Sequence, residues 1–169
     1  STLPAYSQIF ESGMSLYNAG DYERAARVFE QVEEPRGQLF AAKSYYHMSR
    51  VHKALAYLKE LEISDDYESE VSQDIQLTKA LCHFELKNFA ESLDLLYQLK
   101  SSRRQSAIYF SAVRMYDQIL DFLSEIQRLK AYQQSDFAQV RFDVIRSAVG
   151  KYNADKVRQL IAYFTDNEP

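Results

Sequence analysis

The chain has 169 residues, 46% hydrophobic and 26% charged, with a formal net charge of −4. That length suffices for one domain with a continuous core, and no run approaches the roughly 20 apolar residues of a membrane span. Residues 1–99 carry 9 Lys and Arg against 16 Asp and Glu, and residues 100–169 carry 11 against 8, an acidic front and mildly basic rear that argue against nucleic-acid binding, which needs a concentrated basic stripe.

With only four Gly and three Pro, the sequence is composed as an all-helical chain requires. The start, Ser1-Thr2-Leu3-Pro4, does not read as a signal peptide, and without an initiator Met the chain is compatible with a processed product or a piece of a longer protein. A first helix is expected from just after Pro4 to Ala19, closed by Gly20, and a second from Asp21 to Glu33, stopped by Pro35. A third, Arg36 to Met48, and a fourth, Val51 to Glu62, form a hairpin without a turn glycine. Ser64 or Asp65 is the expected cap of a fifth helix, inside a stretch from Glu62 to Asp74 that holds six acids and no base.

The fifth helix is expected to end near Lys87, and Asn88 to cap a sixth running to Leu99. Lys100-Ser101-Ser102-Arg103-Arg104 is the next break, with its serines as caps of a seventh helix. From Gln105 to Tyr132 the apolar spacing is helical almost throughout, which places the turn between the seventh and eighth helices near Gln118 to Asp121. Ser135 or Asp136 starts a ninth, with apolar Phe137, Val140, Val144, Ile145, Ala148 and Val149, and Asn153 caps a tenth from Ala154 to Thr165.

A unit recurs through these helices. A small residue in one helix is followed twelve positions later by a small residue in the next, at Gly13/Ala25, Ala42/Ala54, Ala80/Ser92 and Ala112/Ser124. The first unit, Ile9-x-x-Ser12-Gly13-x-x-Leu16, then Gly20-Asp21-Tyr22, Ala25-x-x-x-Phe29 and Pro35, resembles the tetratricopeptide repeat family. The second (Ala41-Ala42, Tyr45, Ala54, Leu58) and third (Leu77, Ala80, His83, Asn88-Phe89, Ser92, Leu96) resemble it with departures. In the fourth, Arg128 stands where a large apolar residue belongs. The resemblance implies an all-α, right-handed superhelical solenoid of about ten antiparallel helices: one domain over residues 1–169, with four hairpins in 5–132 and a capping helix pair in 135–165.

In such repeats the first helices line the concave face. Equal offsets in each unit give Phe10, Met14 and Tyr17; Leu39, Lys43 and Tyr46; Leu77, Leu81 and Phe84; and Tyr109, Val113 and Tyr116, each set spaced i, i+4, i+7 on one helix face. Only Lys43 is charged and every set ends on an aromatic ring, so these positions read either as an aromatic trough for an amphipathic helix or apolar peptide, or as core. Family members that clamp a peptide's C-terminal carboxylate use Lys and Asn where this chain has Phe10 and Met14, which speaks against that mode.

No enzymatic motif is present. His47, His52 and His83 lack metal-ligand spacing, Cys82 reads as a packing residue, and there is no phosphate loop. No cofactor or metal is expected. Lys100, Arg103, Arg104 and Arg114 form a basic group that reads as a solvated connection or a contact for an acidic partner. With one cysteine the chain suits a reducing, cytoplasmic compartment. The expectation is a non-catalytic protein-binding module, adaptor or chaperone. A scaffold subunit using its edges and convex surface is the alternative, and a homodimer that buries the trough would mimic both.

Overall fold

The structure is a computed structural model that describes residues 5–61 and 69–166. The described residues form ten α-helices: α1 Ala5–Asn18, α2 Tyr22–Phe29, α3 Pro35–His47, α4 Val51–Glu60, α5 Glu70–Glu85, α6 Phe89–Lys100, α7 Ala107–Phe122, α8 Glu125–Gln134, α9 Ala138–Val149 and α10 Ala154–Asp166. They fall into two compact units, Ser1–Leu86 and Lys87–Pro169.

In the first unit each helix packs on its neighbour from α1 to α5, and α3 also meets α5. Short turns make successive helices antiparallel. The small residues have the role the sequence assigned them: Ala25, Ala42 and Ala54 are fully buried. Gly13 is required by contact, because a Cβ there would lie 2.6 Å from the Phe29 ring. Phe29 and Leu58 fill the space between hairpins with no exposed surface, and burying such a side chain stabilises by about 1.5–3 kcal/mol. Glu30 ties the outer layer: Tyr45 and Tyr57 both donate to its Oε1, at 2.5 and 2.6 Å.

The helix ends show where local signals misled. Asp21 caps α2 by accepting from Arg24 N at 3.2 Å, but α2 ends at Phe29, short of Glu33. Pro35 does not stop α2. It opens α3 at the first helical position, where no N–H is needed. The close passage of α3 against the end of α2 needs Gly37, whose Cβ would meet Val32 at 2.5 Å. Gly20 turns α1 into α2 with φ 79°, and Ser49 adopts the same left-handed conformation at φ 60° in the turn that lacks glycine. Both turns carry the bond from the residue beyond back across six residues, Asp21 N to Leu16 O and Arg50 N to Tyr45 O, each 2.9 Å. The caps expected at Ser64 and Asp65 lie outside the described residues; α5 opens at Ser69, which accepts from Ser72 N at 3.2 Å.

In the second unit α6 packs on α7 and α8, and α9 on α6, α7, α8 and α10. Ser92, Leu93, Leu96 and Ala112 are fully buried. Three sequence expectations are corrected here. Ser101 ends α6, and Ser106 is the cap of α7, accepting from Tyr109 N at 3.2 Å. The turn near Gln118 to Asp121 is instead at Leu123-Ser124, where Ser124 and Gln127 form a reciprocal capping box. Ser124 is therefore an exposed cap and not the interior partner of Ala112. The third concerns the start of α9, where Phe137 is the N-cap residue. The chain before it is held by Asp94, which accepts from Ser135 Oγ at 2.5 Å and Asp136 N at 2.9 Å.

Arg128 explains the unmarked end of α7. Its side chain has no exposed surface, and its guanidinium donates to Leu120 O at 2.6 Å, to Val144 O at 3.3 Å and to Ser147 Oγ. Lys151 Nζ donates to Asp121 O. Two basic side chains thus satisfy carbonyls that a glycine turn would otherwise have managed.

Candidate partner-binding groove

The candidate residues on α1 and α3 converge in the first unit. Phe10 and Leu39 are 9% and 1% exposed and belong to two core clusters, Phe10 with Ala25 and Phe29, Leu39 with Ala42 and Tyr45. Met14 and Tyr17 are half-buried against the first cluster and Tyr46 against the second, with rings or sulfur partly open. Phe40, which equal offsets passed over, is the ring that joins Phe10 and Tyr17. It stands edge-on to Phe10 at 5.7 Å and to Tyr17 at 5.4 Å. Its signal lies in Arg36, Phe40, Lys43 and His47, spaced i, i+4, i+7, i+11 along α3, none of which is buried.

Charged groups sit on these rings. Arg36 lies 4.7 Å from the Phe10 centroid and Lys43 4.8 Å from that of Phe40, positions of favourable cation–π contact. Lys43 Nζ also pairs with Asp74 Oδ2 of α5 at 2.6 Å. Between α3 and α5 a cavity of ≈ 290 Å³ is lined by Arg36, Leu39, Phe40, Glu70, Val71 and Asp74. On α5, Leu77, Leu81 and Phe84 are each half-buried.

One end of this face is polar. Tyr17 Oη lies 2.9 Å from His47 Nε2. Tyr22 stacks on the His47 ring at 4.5 Å and 16°. Burial, followed by the fields of Tyr22 and Asp74, pushes the Tyr17 hydroxyl up to about 12, so it stays protonated. Burial, followed by Lys43, holds His47 below its ordinary value. Burial and then Glu85 raise Cys82 to about 11, a thiol suited to packing and not to attack.

Tyr109, Val113 and Tyr116 belong to the second unit. Tyr109 and Val113 are half-buried, whereas Tyr116 is 1% exposed. The Tyr116 hydroxyl donates to Asp143 Oδ2 at 2.7 Å, and Lys100 Nζ lies 3.9 Å from its ring centroid. Another ≈ 300 Å³ cavity between α8 and α10 is lined by apolar Ile126, Leu129, Leu160 and Tyr163 beside the Glu125–Lys156 ion pair at 2.8 Å. Sequence offsets missed it because it involves second helices of hairpins.

Among the described residues no helix is long and apolar enough to cross a membrane. No curated protein and no solved structure matches the chain. Residues 9–34 match the tetratricopeptide repeat family model. This span takes in α1 from Ile9 onward, its glycine turn, α2 and the buried Gly13, Ala25 and Phe29. Repeats of this family typically serve as non-catalytic protein–protein interaction modules. Residues 9–34 thus resemble one tetratricopeptide repeat, set among ten helices without a strand in the described residues, a fold consistent with a solenoid of such repeats.

Proposed function

We propose that the first unit binds an apolar or amphipathic helical segment of a protein partner along the α1, α3 and α5 face, without chemistry of its own. The observation that carries this reading is the set of half-open side chains Met14, Tyr17, Phe40 and Tyr46 on α1 and α3, next to the α3–α5 cavity. Rings fixed by one another lose little freedom when a partner side chain packs on them. Lys43 is engaged by Asp74, so a partner acid would have to displace that carboxylate, and Arg36 is the cation at the mouth of the cavity. The reading takes residues 1–169 as one repeat domain working as an adaptor or chaperone. The single, buried Cys82 suits a cytoplasmic setting.

A scaffold role draws on a different observation. In the second unit Ile126 and Tyr163, 70% and 50% exposed, both line the α8–α10 cavity, an open apolar surface of the kind that partners cover. The two readings separate in one experiment. A native-lysate pull-down with mass spectrometry compares the wild-type chain with folded Tyr17→Ala/Tyr46→Ala and Ile126→Glu/Tyr163→Ala variants. Loss of a partner only in the first variant supports the groove; loss only in the second moves function to α8 and α10.

A further inference from the structure

The Tyr17–His47 contact sets which kind of hydrogen-bonding group this face offers. The imidazole is held between rings from three helices: Tyr17 of α1 at 5.6 Å, Tyr22 of α2 at 4.5 Å and its neighbour Tyr46 of α3 at 5.7 Å. These ring contacts orient the imidazole, which stays solvent-exposed, while Nε2 meets Tyr17 Oη at 2.9 Å. We propose that His47 is the hydrogen-bond switch of the first-unit groove: when neutral, its Nε2 accepts a hydrogen bond from the Tyr17 hydroxyl and leaves Tyr17 an acceptor toward a partner; when protonated, its Nε2–H donates to the Tyr17 oxygen and turns the hydroxyl proton outward.

The partner group that reads the neutral state is a hydrogen-bond donor, an amide N–H or an ammonium. Protonation reverses the demand and adds positive charge one helical turn from Lys43. The titratable and charged groups around the ring are Tyr17 from α1, Tyr22 from α2, Lys43 and Tyr46 from α3, and Asp74 from α5, the last bound to Lys43. Glu23, next to Tyr22, is paired with Arg27 at 3.2 Å and Arg50 at 3.1 Å. Position in the last turn of α3 favours a cation, but burial and Lys43 oppose it. Tyr17 remains a phenol throughout, so one proton moves on and off His47 and the bond reverses without other chemistry.

The partner clause rests on the groove reading; the switch itself does not. Long-range 1H–15N correlation spectra of the unliganded chain at pH 8, assigned with His47→Gln, are expected to show Nε2 bare and Nδ1 protonated. In Tyr17→Phe, which keeps the ring, the imidazole is expected to return to the Nε2–H tautomer that a free side chain favours. On acidification the His47 midpoint falls below about 6.5, and the Tyr17 Cζ shift follows the same midpoint. Nε2–H in the wild type overturns the proposal, as does a tautomer unchanged in Tyr17→Phe, a midpoint at or above 6.5, or a Tyr17 shift that ignores it. If Tyr17→Phe does not fold, the wild-type tautomer and titration decide. None of these results bears on the pull-down, so failure of the switch and failure of the groove are distinguishable.

Discussion

Replacing Gly13 by Ala places a methyl group where the Phe29 ring already lies. The new Cβ would stand 2.6, 2.8 and 2.9 Å from three ring carbons, roughly 0.9 Å inside the ~3.5 Å at which carbon–carbon contact becomes favourable. Phe29 has no exposed surface to yield into, and Phe10 and Phe40 both pack on it with centroids at 5.5 Å. Overpacking of this kind costs about 1–3 kcal/mol, and the better helix propensity of Ala returns about 1 kcal/mol. The expected net loss is therefore about 1 kcal/mol, read by urea denaturation followed by far-ultraviolet circular dichroism. In a Phe29→Leu background the same substitution is expected to stabilise, giving a coupling of about 1 kcal/mol or more. Gly150→Ala, where nothing lies within 4 Å, should gain about 0.4–1 kcal/mol. A stabilising Gly13→Ala in the wild-type background, with no coupling to Phe29, would refute the packing argument.

Three further outcomes are expected. Ser49→Gly relieves a left-handed residue in the α3–α4 turn and should stabilise by about 0.5–1 kcal/mol on the same denaturation assay. Arg128→Ala should destabilise by about 3 kcal/mol or more, since it opens a cavity and strands the Leu120 and Val144 carbonyls, while Arg128→Met, which keeps most of the volume, should lose less; equal losses would remove packing from the explanation. Burial pushes the Glu30 carboxyl up, but bonds from Tyr45 and Tyr57 and the fields of Lys53 and Arg27 outweigh it and hold it below its ordinary value. Its contribution is therefore present above the unfolded value of about 4.3 and lost as pH falls through the folded one; Glu30→Gln should flatten that part of the acid-unfolding profile.

The repeat was legible where it depended on side-chain volume. Gly13, Ala25, Ala42, Ala54, Ala80 and Ser92 are buried as their spacing required, because helices in contact admit only small residues there. It was illegible where one residue type serves two purposes. Ser124 has the size of a packing residue and the hydroxyl of a cap, and the cap prevails because Gln127 returns the bond at 2.9 Å. Pro35 signals a break from either side, and it opens α3. Ser49 carries no sign of its positive φ. Arg128 looked like damage to the fourth repeat; its buried guanidinium holds α7 and α9, a long-range fact no local pattern contains.

On α3 the sequence stripe and the aromatic contacts of the structure differ by one residue of helix phase. Offsets taken from α1 reached Leu39, which is 1% exposed and lines the α3–α5 cavity, and passed over Phe40 beside it, which meets Phe10 and Tyr17. A periodicity argument cannot see that α3 is rotated by one position relative to α1. Nor could it find Asp74 as the partner of Lys43, since their 31-residue separation leaves no local trace. In the second unit the aromatic ending of the stripe was real as sequence, yet Tyr116 is buried with its hydroxyl committed to Asp143.

The central claim is that a partner covers the α1, α3 and α5 face of the first unit. Hydrogen–deuterium exchange on the complex retained in the pull-down, compared with the free chain, tests it most directly. The account predicts slowed exchange in peptides spanning residues 5–18, 35–47 and 70–85, with α8 and α10 unchanged. Slowing confined to α8 and α10, with the first-unit helices exchanging as in the free chain, would contradict it.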